Sequence, residues 1–464
     1  MNFYDGLEGH GAAPAIITEQ GERLSYSELA ALADGLGSSL EPRRVALLAC
    51  GNNIESMAGY LACLRARVVP LLVASGASAE QLKALTDAYR PDYVWMPSDQ
   101  PASGFESVLQ HGSYSLRRGK AVSAAPINDA LGLLLTTSGS TGSPALVRLS
   151  YDNIDSNTES IAQYLEIGST DRPITTLPMS YTYGLSIINT HLLRGAPIIL
   201  TSRSIVDKAF WEALRRHQAT TFGGVPYTYE MMWKLRFSKM ELPSIKVLTQ
   251  AGGKLGAELA RDIATACTAK GIRFIVMYGQ AEATARMSYL PSEHAIAKAG
   301  SIGMAIPGGQ LWLEDADGRA IAGPNVEGEL TYKGPNVSLG YAFTRDDLAK
   351  GDDNRGVLKT GDLAIRDADG FFFITGRRKR FLKLFGNRIN LDDVERMLTD
   401  AGFECACAGV DDHLRVFTTS VDDHAAIRKL LSERTGIHPS AFDVTHIERI
   451  PRNESGKILY PAMA

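Results

Sequence analysis

Seven short apolar runs, separated by amphipathic stretches, constrain this chain more than any other feature of its sequence. They are VALLA from Val45, VVPLLV from Val68, YVWM from Tyr93, LGLLLTT from Leu131, PIIL from Pro197, IKVLT from Ile245 and RFIVMYG from Arg273. Each has the length of a strand and is apolar nearly throughout, the pattern of a strand buried on both faces. Helical patterns lie between them. One runs through Leu29, Leu32, Leu36 and Leu40, with Ser25 and Glu28 spaced as a capping box before it. Repeated strand–helix alternation implies parallel sheets with helices on both faces. From Gly300 to about Thr375 the chain turns rich in Gly, Asp and Pro and carries the short β-like runs GELTYKG and FFFIT, which predict a smaller, more antiparallel β unit. After TGRRKR, helices are predicted near Leu391–Leu398 and Asp423–Glu433, and strands near Leu414 and Val444. The expected fold class is therefore α/β. A large N-terminal domain, residues 1–378, has parallel sheets covered by helices plus a small β unit. A small mobile α+β domain, 379–464, follows a basic, hinge-like turn. The stretch from Ser98 to Asn128 has no clear pattern and reads as an irregular surface connection.

Composition bounds the function. The chain has 464 residues, enough for two or three domains, with 45% hydrophobic and 22% charged residues and a formal net charge of −4. That balance predicts neither a nucleic-acid nor a membrane-surface partner. No apolar run approaches the ~18 residues of a membrane span, and MNFYDGLEGHG lacks the basic-then-apolar pattern of a secretory leader. Cys50, Cys63, Cys267, Cys405 and Cys407 are odd in number and scattered, which fits a reducing cytoplasm rather than a disulfide framework. The Cys405–Cys407 pair lacks two further ligands nearby and reads as a buried strand edge rather than a zinc site.

Four segments carry chemistry. In LLLTTSGSTGSPALV a buried strand ends in Thr136 and Thr137, and Ser138, Gly139, Ser140, Thr141, Gly142, Ser143 and Pro144 come next. Small residues let backbone N–H groups approach an anion, so this is a phosphate cradle or, on its own terms, a flexible surface loop. No Gly-Lys-Ser/Thr is present after it, so it is not a Walker P-loop. In FIVMYGQAEAT another strand ends in Tyr278, Gly279, Gln280, Ala281 and Glu282. Ligands of open parallel sheets sit beyond strand carboxyl ends, where a carboxylate can hold Mg²⁺ between nucleotide phosphates; a helix-cap neighbour or surface residue is the plainer alternative. In LKTGDLAIRDADGFFFITGRRKR, Asp362 can accept hydrogen bonds from ribose hydroxyls and Arg377 can donate to the same sugar. Near the end, Lys457 comes after a flexible Glu-Ser-Gly, as a long cation reaching into a cleft would, or as a solvated terminal lysine would.

Together, in order and spacing, these segments resemble the acyl-adenylate-forming (AMP-binding) superfamily of acyl-CoA synthetases, luciferases and peptide-synthetase adenylation domains. The resemblance covers nearly the whole chain. It implies an enzyme, an AMP-forming acid–thiol ligase. ATP activates a carboxylic acid as acyl-AMP with release of pyrophosphate, and the acyl group then passes to a thiol. It implies ATP and Mg²⁺, with CoA or the phosphopantetheine of an acyl carrier protein as acceptor. By the resemblance, Ser138 to Gly142 wrap the β- and γ-phosphates with Thr141 as the key hydroxyl, and Thr137 opens that ATP loop. Tyr278 lies against adenine with Gly279, Gln280 and Ala281 beside it, and Glu282 binds Mg²⁺. Asp362 and Arg377 hold ribose, Lys457 contacts the forming adenylate, and QAGGK, with Gly252 and Gly253, lines the adenine and acyl pockets. Lys379 stands at the hinge. An amide or ester ligase with an amine or alcohol acceptor, or a catalytically impaired nucleotide-binding relative, are the alternatives.

Two positions depart from the family pattern. Pro144 precedes Ala145 where a Lys is usual, and Ala281 replaces a Thr or Ser; a lost charge-assisted hydrogen bond is worth roughly 1.5–3 kcal/mol. Tyr181 occupies a position that often gates the acyl pocket, or is simply core. No Asp stands in MSYTYGLSIINTHL to pair with an ammonium, which argues against an α-amino acid. The pocket candidates Tyr181, Gly223, Gly224, Gly253, Val225 and Pro226 are neutral or apolar and predict a neutral aryl, alkyl or hydroxy acid.

Overall fold

The computed structural model describes residues 2–120, 125–136, 145–378, 380–384, 387–410, 412–435, 437–452 and 458–463. The chain packs as two compact units, one made of Met1–Gln310 with Tyr332–Leu358 and the other of Leu311–Thr331 with Lys359–Ala464.

The first unit is built on an eight-stranded sheet. Its centre is parallel: Leu131–Thr136, Val69–Ala74, Val45–Cys50 and Tyr93–Pro97. The Val45–Cys50 strand is buried at every position. Because side chains alternate across a pleat, Ala46, Leu48 and Cys50 enter one core cluster while Val45, Leu47 and Ala49 enter another. That is why this run is apolar throughout rather than alternating. Antiparallel strands flank this centre: Leu146–Ser150 and Gly340–Ala342 on one side, Tyr114–Gly119 and Phe105–His111 on the other. A second sheet sets Thr221–Gly224, Val247–Gln250 and Arg273–Tyr278 parallel, with Ser288–Leu290 and Met304–Ala305 returning antiparallel. Helix Tyr26–Gly37 begins with the expected box: Glu28 N–H donates to the Ser25 hydroxyl at 3.2 Å, and Ser25 N–H to the Glu28 carboxylate at 2.8 Å.

The predicted irregular connection from Ser98 to Asn128 instead contains the hairpin Phe105–His111 and Tyr114–Gly119. Its outer strand is exposed at most positions, so it carries no apolar signal. Only Tyr114, Ser115 and Leu116 of the inner strand are buried.

A four-stranded sheet of Gln310–Glu314, Gly328–Lys333, Val357–Arg366 and Phe372–Arg377, most of whose residues fall in the second unit, is the small β unit expected from the glycine-rich stretch. Beyond it lie the hairpin Phe381–Leu384 and Asn387–Asn390, a sheet of Cys405–Val410, His413–Thr418 and Phe442–His446, and helices Leu391–Asp400 and His424–Thr435. Cys405 and Cys407 lie buried on the edge strand as free thiols, and burial pushes the Cys407 thiol up. Among the described residues no three His, Cys, Asp or Glu side chains cluster as a metal site, and no helix is long and apolar enough to cross a membrane.

Candidate active site

In the first unit, the three parallel strands of the second sheet run in register, with Gly223, Thr249 and Ile275 side by side, then Gly224, Gln250 and Val276, and the third strand continues to Tyr278. Glycines concentrate at these strand ends for a steric reason. Past Arg273–Tyr278 the chain turns through a short 3-10 segment, Ala281–Ala283, and returns as Ser288–Leu290. The turn is so tight that a Cβ on Gly279 would sit 1.9 Å from the Ala285 carbonyl oxygen. Gly252 has φ +84°, and a Cβ there would lie 2.5 Å from the Tyr181 hydroxyl. A Cβ on Gly223 would lie 2.7 Å from the Tyr183 hydroxyl, and one on Gly224 2.8 Å from Thr228 and Tyr229. Gly253 accepts at its carbonyl from the Gln250 side chain at 2.9 Å.

Glu282 is held from two sides. Its carbonyl accepts from Ser338 N–H at 2.8 Å, and its Oε1 accepts the Tyr341 hydroxyl. Burial, and then the Glu282 charge, push the Tyr341 phenol up. The segment around it is tied down by Asn336, whose side-chain N–H donates to the Ala283 and Arg286 carbonyls, both at 2.9 Å, while Thr284 donates to the Asn336 carbonyl at 2.7 Å. Gln280 donates to the Tyr278 hydroxyl at 3.2 Å. The Ala281 methyl packs against the main apolar cluster, so the position that lacks the family hydroxyl is occupied by core packing.

Tyr181 caps helix Thr182–Leu193 through its backbone and is half-buried, its ring 6.4 Å from that of Tyr183. Burial raises its phenol against the opposing pull of the Arg286 cation. Tyr183 is fully buried and its phenol is pushed up to about 12 by burial, again against Arg286. Arg286 and Tyr183 line one cavity with Gly223, Thr249 and Met277; neither is among the site residues expected from sequence. Their signals were present, since Arg286 lies four residues past Glu282 in a segment without another charge before Glu293, and Tyr183, Ser186, Ile187 and Thr190 share helical spacing.

In the second unit, Asp362 and Arg377 are partners in an antiparallel register, and Arg377 Nε donates to Asp362 Oδ1 at 3.1 Å. Asp362 is buried while Arg377 stays exposed. Thr137, Ser138, Gly139, Ser140, Thr141, Gly142, Lys379 and Lys457 lie outside the described residues. The strands on either side of the Ser138–Gly142 segment are paired, with Thr136 opposite Leu146.

The sequence model of the family described as AMP-binding enzyme matches residues 3–342. The chain belongs to that family. This AMP-binding enzyme is 27% identical to an indoleacetate–CoA ligase of Aromatoleum aromaticum, over 94% of this chain and 91% of the relative. It is 29% identical to a 2-succinylbenzoate–CoA ligase of Bacillus subtilis, over 71% of this chain and 68% of the relative. Among solved structures it shares the fold of the o-succinylbenzoate CoA synthetase of Bacillus subtilis in complex with its acyl-adenylate, with a TM-score of 0.81 at 22% identity over 100% of this chain and 97% of the other. That synthetase has also been solved with ATP and magnesium ion. The AMP-binding enzyme is thus a member of the acyl-adenylate-forming superfamily, with the α/β fold and small C-terminal α+β region of that group.

Proposed function

We propose that the chain activates a carboxylic acid with ATP, releasing pyrophosphate and forming acyl-AMP, and then transfers the acyl group to the thiol of CoA with release of AMP. The observation that carries this is the strand-end cluster Tyr278–Glu282, a turn only glycine can make, which holds a half-buried carboxylate at the carboxyl ends of parallel strands. In this reading Tyr278 lies against adenine beside Gly252 and Gly253, Ser138 to Gly142 hold the phosphates with Thr141 donating to them, and Asp362 and Arg377 hold ribose. Lys457 faces the α-phosphate, Tyr181 gates the acid, and Lys379 is the pivot between residues 1–378 and 379–464.

Glu282 fits Mg²⁺. One carboxylate oxygen is taken by Tyr341, which leaves the other for a hard cation that takes most of its remaining ligands from phosphate and water. Bound there, Mg²⁺ would offset the charge of the phosphates. The protein needs no general base, because the attacking carboxylate is ionised at neutral pH. Its task is to position two anions, with preorganised donors and cations supplying the stabilisation. The relatives' names support CoA over a carrier-protein phosphopantetheine, and five buried free thiols support a cytoplasmic setting.

The test is ATP–pyrophosphate exchange across a panel of carboxylic acids, then mass spectrometry of the product formed with CoA or with phosphopantetheinylated carrier protein. Acid-dependent exchange and an acyl-CoA product are expected. A stable, folded protein that exchanges with no acid would refute the reading.

A further inference from the structure

Among the described residues of the first unit, three arginines are almost wholly buried: Arg148 and Arg345, both 0% exposed, and Arg286, 2% exposed. The first two are paired. Arg148 meets Asp353 at 2.6 Å and donates to the carbonyls of Leu339, Tyr341, Lys350 and Gly351. Arg345 meets Asp92 at 2.8 Å. Arg286 has no such partner. It donates to the Ala285 carbonyl at 3.1 Å, the Ser186 hydroxyl at 3.3 Å and Met277 Sδ at 3.4 Å, and its guanidinium lies 3.9 Å from the centre of the Tyr183 ring. Among the described residues none of its partners is a carboxylate. An unpaired buried cation is among the costliest features a fold can carry, which is why buried charges are ordinarily paired.

The cavity beside Arg286 explains what the charge is for. Tyr183, Ser186, Ile187, Thr190 and His191 recur at helical spacing, so helix Thr182–Leu193 gives the cavity one face, and Gly223, Thr249 and Met277 close it at the carboxyl ends of the parallel strands. Gly223 is needed there, since a side chain would collide with the Tyr183 hydroxyl, which is bonded to the Thr249 carbonyl at 2.7 Å. His191 is 3% exposed. Its Nδ1 is bonded to the Ile187 carbonyl at 2.8 Å, which puts the proton on Nδ1, and its Nε2 has no hydrogen-bond partner. The cavity therefore offers one uncompensated cation and one unpartnered buried acceptor in a tight space of about 20 Å³.

We propose that Arg286 is a specificity-determining residue of the acid pocket. It receives a second anionic group at the far end of the substrate, so that the enzyme selects compact dianionic acids, carboxylates bearing a second carboxylate or a sulfonate. The inference rests on the function proposed above and revises the expectation of a neutral acid. One carboxylate stays free to attack ATP. The other meets a planar guanidinium, whose forked donors match two oxygens at once.

The full chain is assayed by ATP–pyrophosphate exchange with matched acids: succinate, glutarate and isophthalate against butyrate, valerate and benzoate. The dianionic member of each pair is expected to show at least about tenfold higher kcat/KM, and R286Q to lower that value about 100-fold while sparing the monoanionic member. R286K keeps the charge, guards against misfolding, and is expected to retain the preference with a weaker KM. Thermal unfolding without ATP supplies an independent readout: the preferred dianion stabilises the parent and not R286Q. Equal use of both members, or an equal loss of both in R286Q, would overturn the inference, since a merely structural Arg286 serves all acids alike. If no acid supports exchange but a dianion stabilises the parent and not R286Q, the activity reading fails and Arg286 keeps its role. If neither occurs, Arg286 has no such role.

Discussion

Replacing Gly279 by alanine tests whether the turn that carries Glu282 is as constrained as its geometry implies. The new Cβ would start 1.9 Å from the Ala285 carbonyl oxygen, 2.7 Å from its carbon and 2.8 Å from Arg286 Cα, all backbone atoms that cannot rotate away. To clear even 3.0 Å the two backbone segments must part by at least 1.1 Å. The 281–286 segment is moored by Ser338 N–H on the Glu282 carbonyl, by Asn336 on the carbonyls of Ala283 and Arg286, by Thr284 on Asn336, and by Asn157 on Arg286. A shift of that size breaks two or three of these buried bonds. At about 1 kcal/mol for each bond, and more where a buried group is left unpaired, the variant is expected to lose about 2–4 kcal/mol of stability. On the proposed function, activity should fall further than stability does, because a ~1 Å displacement of a group placed to orient phosphates would cost about 100-fold. Urea unfolding gives the first quantity, and ATP–pyrophosphate exchange at a temperature where the variant remains folded gives the second. A variant within about 0.5 kcal/mol of the parent and of normal activity would refute the claim that close backbone approach dictates this glycine.

Glu282→Gln keeps the acceptor for Tyr341 but removes the charge, so the melting temperature should hold while the Mg²⁺ concentration for half-maximal exchange rises about tenfold or more; an unchanged Mg²⁺ dependence would exclude the metal role. Lys457→Ala is expected to abolish adenylation yet spare thioester formation from synthetic acyl-adenylate, and equal loss in both half-reactions would sink that assignment. Arg345→Met strands the buried Asp92 carboxylate and should cost about 3–5 kcal/mol in urea unfolding, part of it recovered by adding Asp92→Asn. Burial holds the His191 imidazole down to about 4 from 6.5, so the unfolded chain takes up the proton first and stability falls as pH drops from 6.5 through 4. Between about pH 7 and about pH 5 this is worth about 2 kcal/mol. Asp155, pushed up to about 6 by burial, works in the opposite sense, its share being lost as pH rises through 6. The informative measurement is therefore the difference between the parent's stability–pH curve and that of His191→Gln, which should be flatter on the acid side.

Much of this enzyme could be read from its chain because the signals are local. A strand buried on both faces must be apolar at every position, which makes Val45–Cys50 and Leu131–Thr136 visible without knowledge of their neighbours. The Ser25–Glu28 cap is a contact across three residues. The glycines at 252 and 279 stand out as small residues at strand ends. Where burial is partial the signal fades, and so the Phe105–His111 hairpin strand, exposed along one edge, went unseen. What tertiary structure alone decided is which distant residues meet. Tyr341 lies 59 residues from the Glu282 it holds, and Asn336 lies 50 from the Arg286 carbonyl it secures. The sequence places Arg286 near Glu282, but it does not show that Arg286, unlike Arg148 and Arg345, lacks a carboxylate partner. Only the folded chain supplies Asp353 and Asp92 to the other two and leaves Arg286 beside a cavity. A charge takes its meaning from its counter-ion, and counter-ions are brought together by packing over long sequence separations, which no local pattern records.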